Sequence, residues 1–232
     1  MGSTDGQAQY TLYLGDKNYS SWSLRPWLAL RQLGIAFTEV EVPLGGTGVN
    51  ERHLAYSPNG LVPCLHDGDL QVFDSLAICE YLAERHPQLW PAERTARARA
   101  RSIAAEMHSG FGQVRNQLPM NIRLRARGTA LPAAVQKEVD RICLAWRDAR
   151  TYFASGDGPF LFGAFSIADA MFAPVVWRFY SYNVALPADA AAYRDTMLAL
   201  PAMREWQAAA EASTWRNPGQ DELIHQHGGA RV

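Results

Sequence analysis

The sequence predicts an α/β domain of element order βαβαββα followed by an all-helical domain. Three observations carry this. The first third of the 232 residues switches between period-2 and period-3.6 apolar patterns. From about residue 93 to 214 only helical spacing recurs. Between the two lies 86-HPQLWPAE-93, a proline-punctuated connector of the kind that separates domains. With 48% hydrophobic and 11% aromatic residues, the chain can bury the core that this arrangement needs.

The first strand is 9-QYTLYLG-15, rich in Tyr, Thr and Leu. A helix follows on Leu24, Trp27, Leu28, Leu30, Arg31 and Leu33, with Gly34 as its left-handed stop. Pro26 lacks an N–H, which points to the first helical turn and puts the N-cap between Trp22 and Arg25. The alternation in 37-FTEVEV-42 marks a second strand. After 43-PLGGTGVN-50 a short helical segment, 51-ERHLAYS-57, ends before Pro58. The stretch 61-LVPCLHDGDLQVF-73 reads as a hairpin turned at Asp67-Gly68. Asp74 and Ser75 then open a helix whose face is Leu76, Ile78, Cys79, Leu82 and Ala83. This gives a first domain over residues 9–86 and a second over 93–214, with helices near 93–118, 132–154, 166–184 and 189–213, the last interrupted at Pro201. Residues 1–8 and 216–232 read as flexible or loosely packed tails.

Net charge of −1 and a pI near 6.6 argue against nucleic acid or an anionic membrane surface as partner. Arg94, Arg97 and Arg101, with the arginines of 121-NIRLRARG-128, read as a solvated or dimer-interface face. No apolar run approaches the roughly 18 residues that span a bilayer, and MGSTDGQAQ has no signal-peptide character, so a cytoplasmic protein is expected. Cys64, Cys79 and Cys143 stand in apolar contexts and read as buried reduced thiols. His225-x-His227 has ligand-like spacing but no third ligand, and no metal is expected.

Three short segments could carry chemistry. Ser20 and Ser21 lie at a helix N-terminus, where hydroxyls and partial positive charge suit an anion such as a thiolate, or they only cap and turn the chain. Pro63 inside a strand implies an edge, with a cis peptide as one option, and leaves the N–H and C=O of Val62 free to pair with an extended peptide. Asp74-Ser75 can cap its helix, or offer an acceptor for an ammonium and a donor for a carboxylate, complementary to an amino-acid head group. Ser166 and Asp169 form a variant capping box and read as structural.

Read in a row, a thiolate, a peptide unit and an α-amino acid describe glutathione. The stretches 20-SSWSLRPWLAL-30, 58-PNGLVPCL-65, 74-DSLAICEYL-82 and 166-SIADAMFAPV-175 resemble the soluble glutathione transferases, over roughly residues 9–213. The first is most similar to the helix start of the zeta class, which includes maleylacetoacetate isomerases. The resemblance implies a thioredoxin-like N-terminal domain, a helical C-terminal domain, glutathione as co-substrate and a homodimer. It assigns Ser20 to the glutathione sulfur with Ser21 its neighbour, Val62 to the backbone pair, and Asp74 with Ser75 to the γ-glutamyl end. Tyr19 is a rival sulfur ligand, because other classes use a tyrosine near this point.

Two departures stand out. Trp22 replaces the zeta cysteine, which takes the only sulfur out of the tetrad Ser20-Ser21-Trp22-Ser23 and argues against a protein thiol nucleophile. Leu61 stands where many bacterial members have a lysine for the glycine carboxylate, so Arg52 or His53 must hold that end, or it is held weakly. The second substrate is expected between the domains. There Met107, His108, Phe111 and Arg115, at spacings of 3 to 4 along a helix, either line the pocket or only pack, and His108 could act as acid or base. The expected function is attack of glutathione thiolate on a small electrophile. The alternatives are a zeta-like cis-trans isomerase and a non-catalytic binding or scaffold protein.

Overall fold

The computed structural model describes residues 9–44, 50–128, 130–154, 158–226 and 230–231. Strands β1 (Tyr10–Gly15), β2 (Phe37–Val42), β3 (Cys64–Asp67) and β4 (Leu70–Phe73) form one sheet in the order β2-β1-β3-β4. The β1–β2 pair is parallel, with Tyr10 opposite Phe37, and the other two pairs are antiparallel. Helices α1 (Ser21–Gln32) and α2 (Ser75–Arg85) belong to this half, together with a short 3-10 helix at Glu51–Ala55. The mixed sheet with its helices, followed by a mostly helical part, has the expected fold class.

The second half holds α3 (Arg94–Ser109), α4 (Gly112–Gln117), α5 (Ala133–Asp148), α6 (Ile167–Ser181), α7 (Ala188–Ala199) and α8 (Pro201–Ala212). Helix α1 packs on α2, α6 and α8, so Leu24 through Leu30 are buried all round and the helix shows no solvent face there. Trp27 meets Trp206 edge-on at 4.9 Å between ring centres, joining the halves through one continuous apolar core. All three cysteines are free and buried. Among the described residues no helix is long and apolar enough to cross a membrane.

Several expectations change. Helix α1 begins at Ser21, with Ser20 as N-cap, so Pro26 lies inside it rather than in its first turn. The missing Pro26 N–H leaves the Trp22 carbonyl without its helical donor, a cost that burial against three helices offsets. Strand β3 is interior, between β1 and β4, and its ladder starts at Cys64. Pro63 therefore marks a strand entrance and not an edge, and its peptide bond with Val62 is cis.

The helix expected over 93–118 is two helices. A Cβ at Gly110 would sit 2.7 Å from the Glu106 carbonyl, and Phe111 adopts a left-handed φ of 56°, so the chain turns there and the assumed helical spacing across it is lost. The stretch expected as a loose tail includes α9 (Pro218–Gln226), held by hydrogen bonds from Tyr19 and Asn121 to Asp221. A two-residue strand β5 (Leu124–Arg125) pairs with β6 (Ala230–Arg231). Residues 1–8, 45–49 of the glycine-rich loop and His227 of the His225-x-His227 pair lie outside the described residues.

Candidate functional site

A cavity of about 500 Å³ opens at the N-terminus of α1, between the sheet half and the helical half. Its wall brings together Ser20, Ser21, Leu61, Val62, Asp74 and Ser75, from three separate segments of the first half. Asn50 and His53 also line it, as do Arg115 and Arg178 from the second half and Gln220 from α9. Phe111 does not. The turn at Gly110 carries it into the core, beside a separate hollow lined by Glu106 and Lys137. Met107 is core as well.

The two serines are held differently. Ser20 caps α1 through its backbone alone, with no side-chain cap bond. Its hydroxyl instead pairs with the Ser23 hydroxyl at 2.8 Å, and the Ser23 oxygen accepts from the Gly15 N–H at 3.1 Å. In such a pair either hydroxyl can be the donor. If Ser23 donates, the Ser20 proton is free to point at an anion and every group stays satisfied. Ser21 accepts from the Arg178 guanidinium at 3.2 Å, which leaves its own proton free.

Tyr19 lines the cavity but its hydroxyl is committed. It donates to Asp221 at 2.8 Å and accepts from Arg123 at 3.0 Å and from the Asn217 N–H at 3.1 Å. One proton and two lone pairs are thereby used. Burial, opposed by the Asn217 bond, also pushes its pKa above the ordinary phenol value.

Asp74 has a φ of 75° and caps α2, accepting from the Leu76 N–H at 2.9 Å and the Ala77 N–H at 3.3 Å. Its other oxygen is 3.2 Å from His108 Nε2. Burial holds the His108 pKa below its ordinary value, with Arg25 and Arg115 adding to that and Asp74 opposing it. The shift favours the neutral imidazole, so the contact is not a strong ion pair. His108 stands behind the cavity wall, its ring 5.3 Å edge-on from Trp22. Ser75 is buried and its hydroxyl accepts from Arg25 at 3.3 Å.

The same wall carries polar side chains beyond the serines. His53 is buried, with Nε2 at 3.1 Å from the Asn50 amide and 3.0 Å from the Pro43 carbonyl. Arg52 is exposed. Sequence reasoning overlooked Arg25 and Arg178. Both are buried, and burial lowers their pKa values to about 9 and about 10. The signal available for Arg178 was a lone arginine in the apolar run Ile167–Ser181. Among the described residues no group of His, Cys, Asp and Glu could hold a metal ion.

Residues 19–85 match the family described as glutathione S-transferase, N-terminal domain. The chain is 31% identical over 164 residues to a stringent starvation protein A homolog of Pasteurella multocida, covering 68% of this chain and 69% of that one. A maleylacetoacetate isomerase of Pseudomonas aeruginosa is 35% identical over 120 residues, 49% of this chain and 54% of the other. Among solved structures, a Burkholderia glutathione transferase homolog with bound glutathione superposes with a TM-score of 0.65 at 23% identity, covering 89% of this chain and all of that one.

Proposed function

We propose that this chain, which belongs to the glutathione transferase-like family, binds glutathione in the cavity at the start of α1 and directs its thiolate at a small electrophile. The observation that carries the reading is the convergence on one cavity wall of Ser20, Ser21, Val62, Asp74 and Ser75. The sulfur lies at the Ser20 and Ser21 hydroxyls. The cysteinyl peptide unit pairs with the backbone of Val62, which stands outside the β3 ladder. Asp74 receives the γ-glutamyl ammonium, and Ser75 receives its carboxylate through its hydroxyl and its own N–H. Leu61 offers the glycine end only apolar surface, so the Asn50 amide, with His53 holding it in place, takes its carboxylate.

The chemical step needs little more than position and charge. Lowering a thiol pKa by two units from about 8.5 requires about 2.7 kcal/mol of preference for the thiolate. A hydroxyl donor and the α1 N-terminus supply that order of energy. The thiol proton leaves to solvent and the thiolate forms the C–S bond. The displaced electron pair departs with a leaving group or is protonated on the neighbouring carbon. Ser20→Ala should raise the pKa of bound glutathione by about one unit or more, read by ultraviolet titration of the thiolate. An unchanged titration removes Ser20 as activator, and the same titration of Ser21→Ala then tests its neighbour.

A second reading, a binding or scaffold protein without catalysis, is favoured by the likeness to a stringent starvation protein A homolog over two thirds of the chain and by the departures at Trp22 and Leu61. Calorimetry decides: no glutathione binding at millimolar concentration supports the scaffold. The isomerase reading, favoured by the shorter likeness to a maleylacetoacetate isomerase, separates from transfer by whether free thiol disappears during turnover. The homodimer is kept in the proposal and is checked by light scattering.

A further inference from the structure

Arg115 and Arg178 of the helical half bring positive charge to the cavity wall, and Arg25 of the sheet half lies buried nearby. Arg25, Arg115 and Arg178 come from α1, α4 and α6. Arg25 stacks on Trp22 with its guanidinium 4.2 Å from the ring centre, and Arg115 lies over the same ring at 5.4 Å. Arg178 reaches Ser21 at 3.2 Å. Among the described residues none of the three has a carboxylate oxygen within 4 Å of its guanidinium.

Their hydrogen bonds go to neutral acceptors. Arg25 donates to the Ser75 hydroxyl, and its Nε is buried without a partner. Arg178 donates to Ser21 and to the carbonyls of Arg115 and Leu118. Arg115 is half-buried, lines the cavity and donates to the His108 carbonyl. Asp74, which acts on Arg25 from a distance, serves the α2 amides and His108. Buried guanidinium groups without a counter-charge are costly, and a charged ligand relieves that cost.

We infer that the second-substrate side of the cavity is built for an anion, so that the preferred electrophile carries a carboxylate, anchored by Arg115 and Arg178 within a few bonds of the glutathione sulfur. This rests on the reading that glutathione occupies the cavity. Arg178 touches Ser21, so a carboxylate two or three carbons from the sulfur reaches this charge. The remaining guanidinium N–H groups of Arg115 suit a planar carboxylate.

The test is calorimetry with two glutathione conjugates of nearly equal size, S-propylglutathione and S-(2-carboxyethyl)glutathione, with glutathione alone as a third ligand. The carboxylate should bind about tenfold or more tightly than the propyl conjugate, as one charge-assisted pair would give. In Arg115→Gln the ratio should fall below about two, and Arg115→Lys should keep part of it. Melting curves check that each variant is folded. Equal or weaker binding of the carboxylate conjugate, with glutathione and the propyl conjugate bound, overturns the inference alone. An undiminished ratio in Arg115→Gln removes Arg115 as the anchor and overturns it as stated. Failure of all three ligands to bind sinks the glutathione reading, and the inference with it.

Discussion

Replacing Asp169 by alanine tests how the helical half is held, with a magnitude that depends on pH. The carboxylate accepts from the Leu161 N–H at 3.1 Å, the Ser166 N–H at 2.9 Å, the Ser166 hydroxyl at 3.0 Å and the Tyr193 hydroxyl at 2.9 Å. It is fully buried, and burial, opposed by those bonds, raises its pKa from 3.8 to about 6. Alanine strands two buried amides at roughly 1–3 kcal/mol each, while the hydroxyls can turn to other partners. The expected loss is about 2–6 kcal/mol at pH 7.5. A carboxyl whose folded pKa is raised contributes stability that is present below its unfolded pKa and is lost as pH rises through the folded value. For Asp169 the window is therefore about pH 4 to 6. About 2 kcal/mol of that contribution remains at pH 4.5, so the penalty of Asp169→Ala should be larger there by that amount. Urea unfolding of both proteins at pH 4.5 and 7.5 measures it. A penalty equal at both pH values, or larger at pH 7.5, refutes the reasoning. Lost glutathione affinity with unchanged unfolding would refute the structural role itself.

Tyr19→Phe should leave the bound-thiol pKa unchanged and lower stability by about 1–2 kcal/mol, with faster proteolysis near α9, because the hydroxyl ties Asp221, Arg123 and Asn217 rather than a sulfur. A raised thiol pKa in that variant would restore Tyr19 as activator. His108, whose folded pKa is depressed mainly by burial, contributes stability that is present above its ordinary value of 6.5 and lost as pH falls through the lower folded value. His108→Gln should therefore flatten the fall of Tm from pH 7 to pH 5, and an unchanged slope would contradict burial of the His108 imidazole in its neutral form.

Much of the first half was legible because its strands are half-buried and its helices end at glycine or open at an acid. Asp74 caps α2 as its position before an apolar helix implied, and Ser166 with Asp169 makes the expected capping box. The start of α1 was misplaced because a proline signals a first turn only when the helix is otherwise exposed. Here tertiary packing on α2, α6 and α8 carries it into the interior. The break between α3 and α4 was hidden because Gly110-Phe111-Gly112 keeps an apolar residue in register while the backbone turns through a positive φ. That is why Arg115 reaches the cavity and Phe111 does not. Helix α9 escaped notice because polar side chains hold it, through Asp221, rather than an apolar stripe. The arginines at the site were illegible for a related reason. Sequence patterns treat arginine as solvated, and only the fold shows that Arg25 and Arg178 are buried beside Ser75 and Ser21.

The proposed chemistry depends on where glutathione sits. A crystal structure of the protein with glutathione should place the sulfur about 3 to 3.5 Å from the Ser20 or Ser21 hydroxyl, the cysteinyl unit against Val62, and the γ-glutamyl group on Asp74 and Ser75. A sulfur that touches neither serine, or glutathione bound outside this cavity, would contradict it.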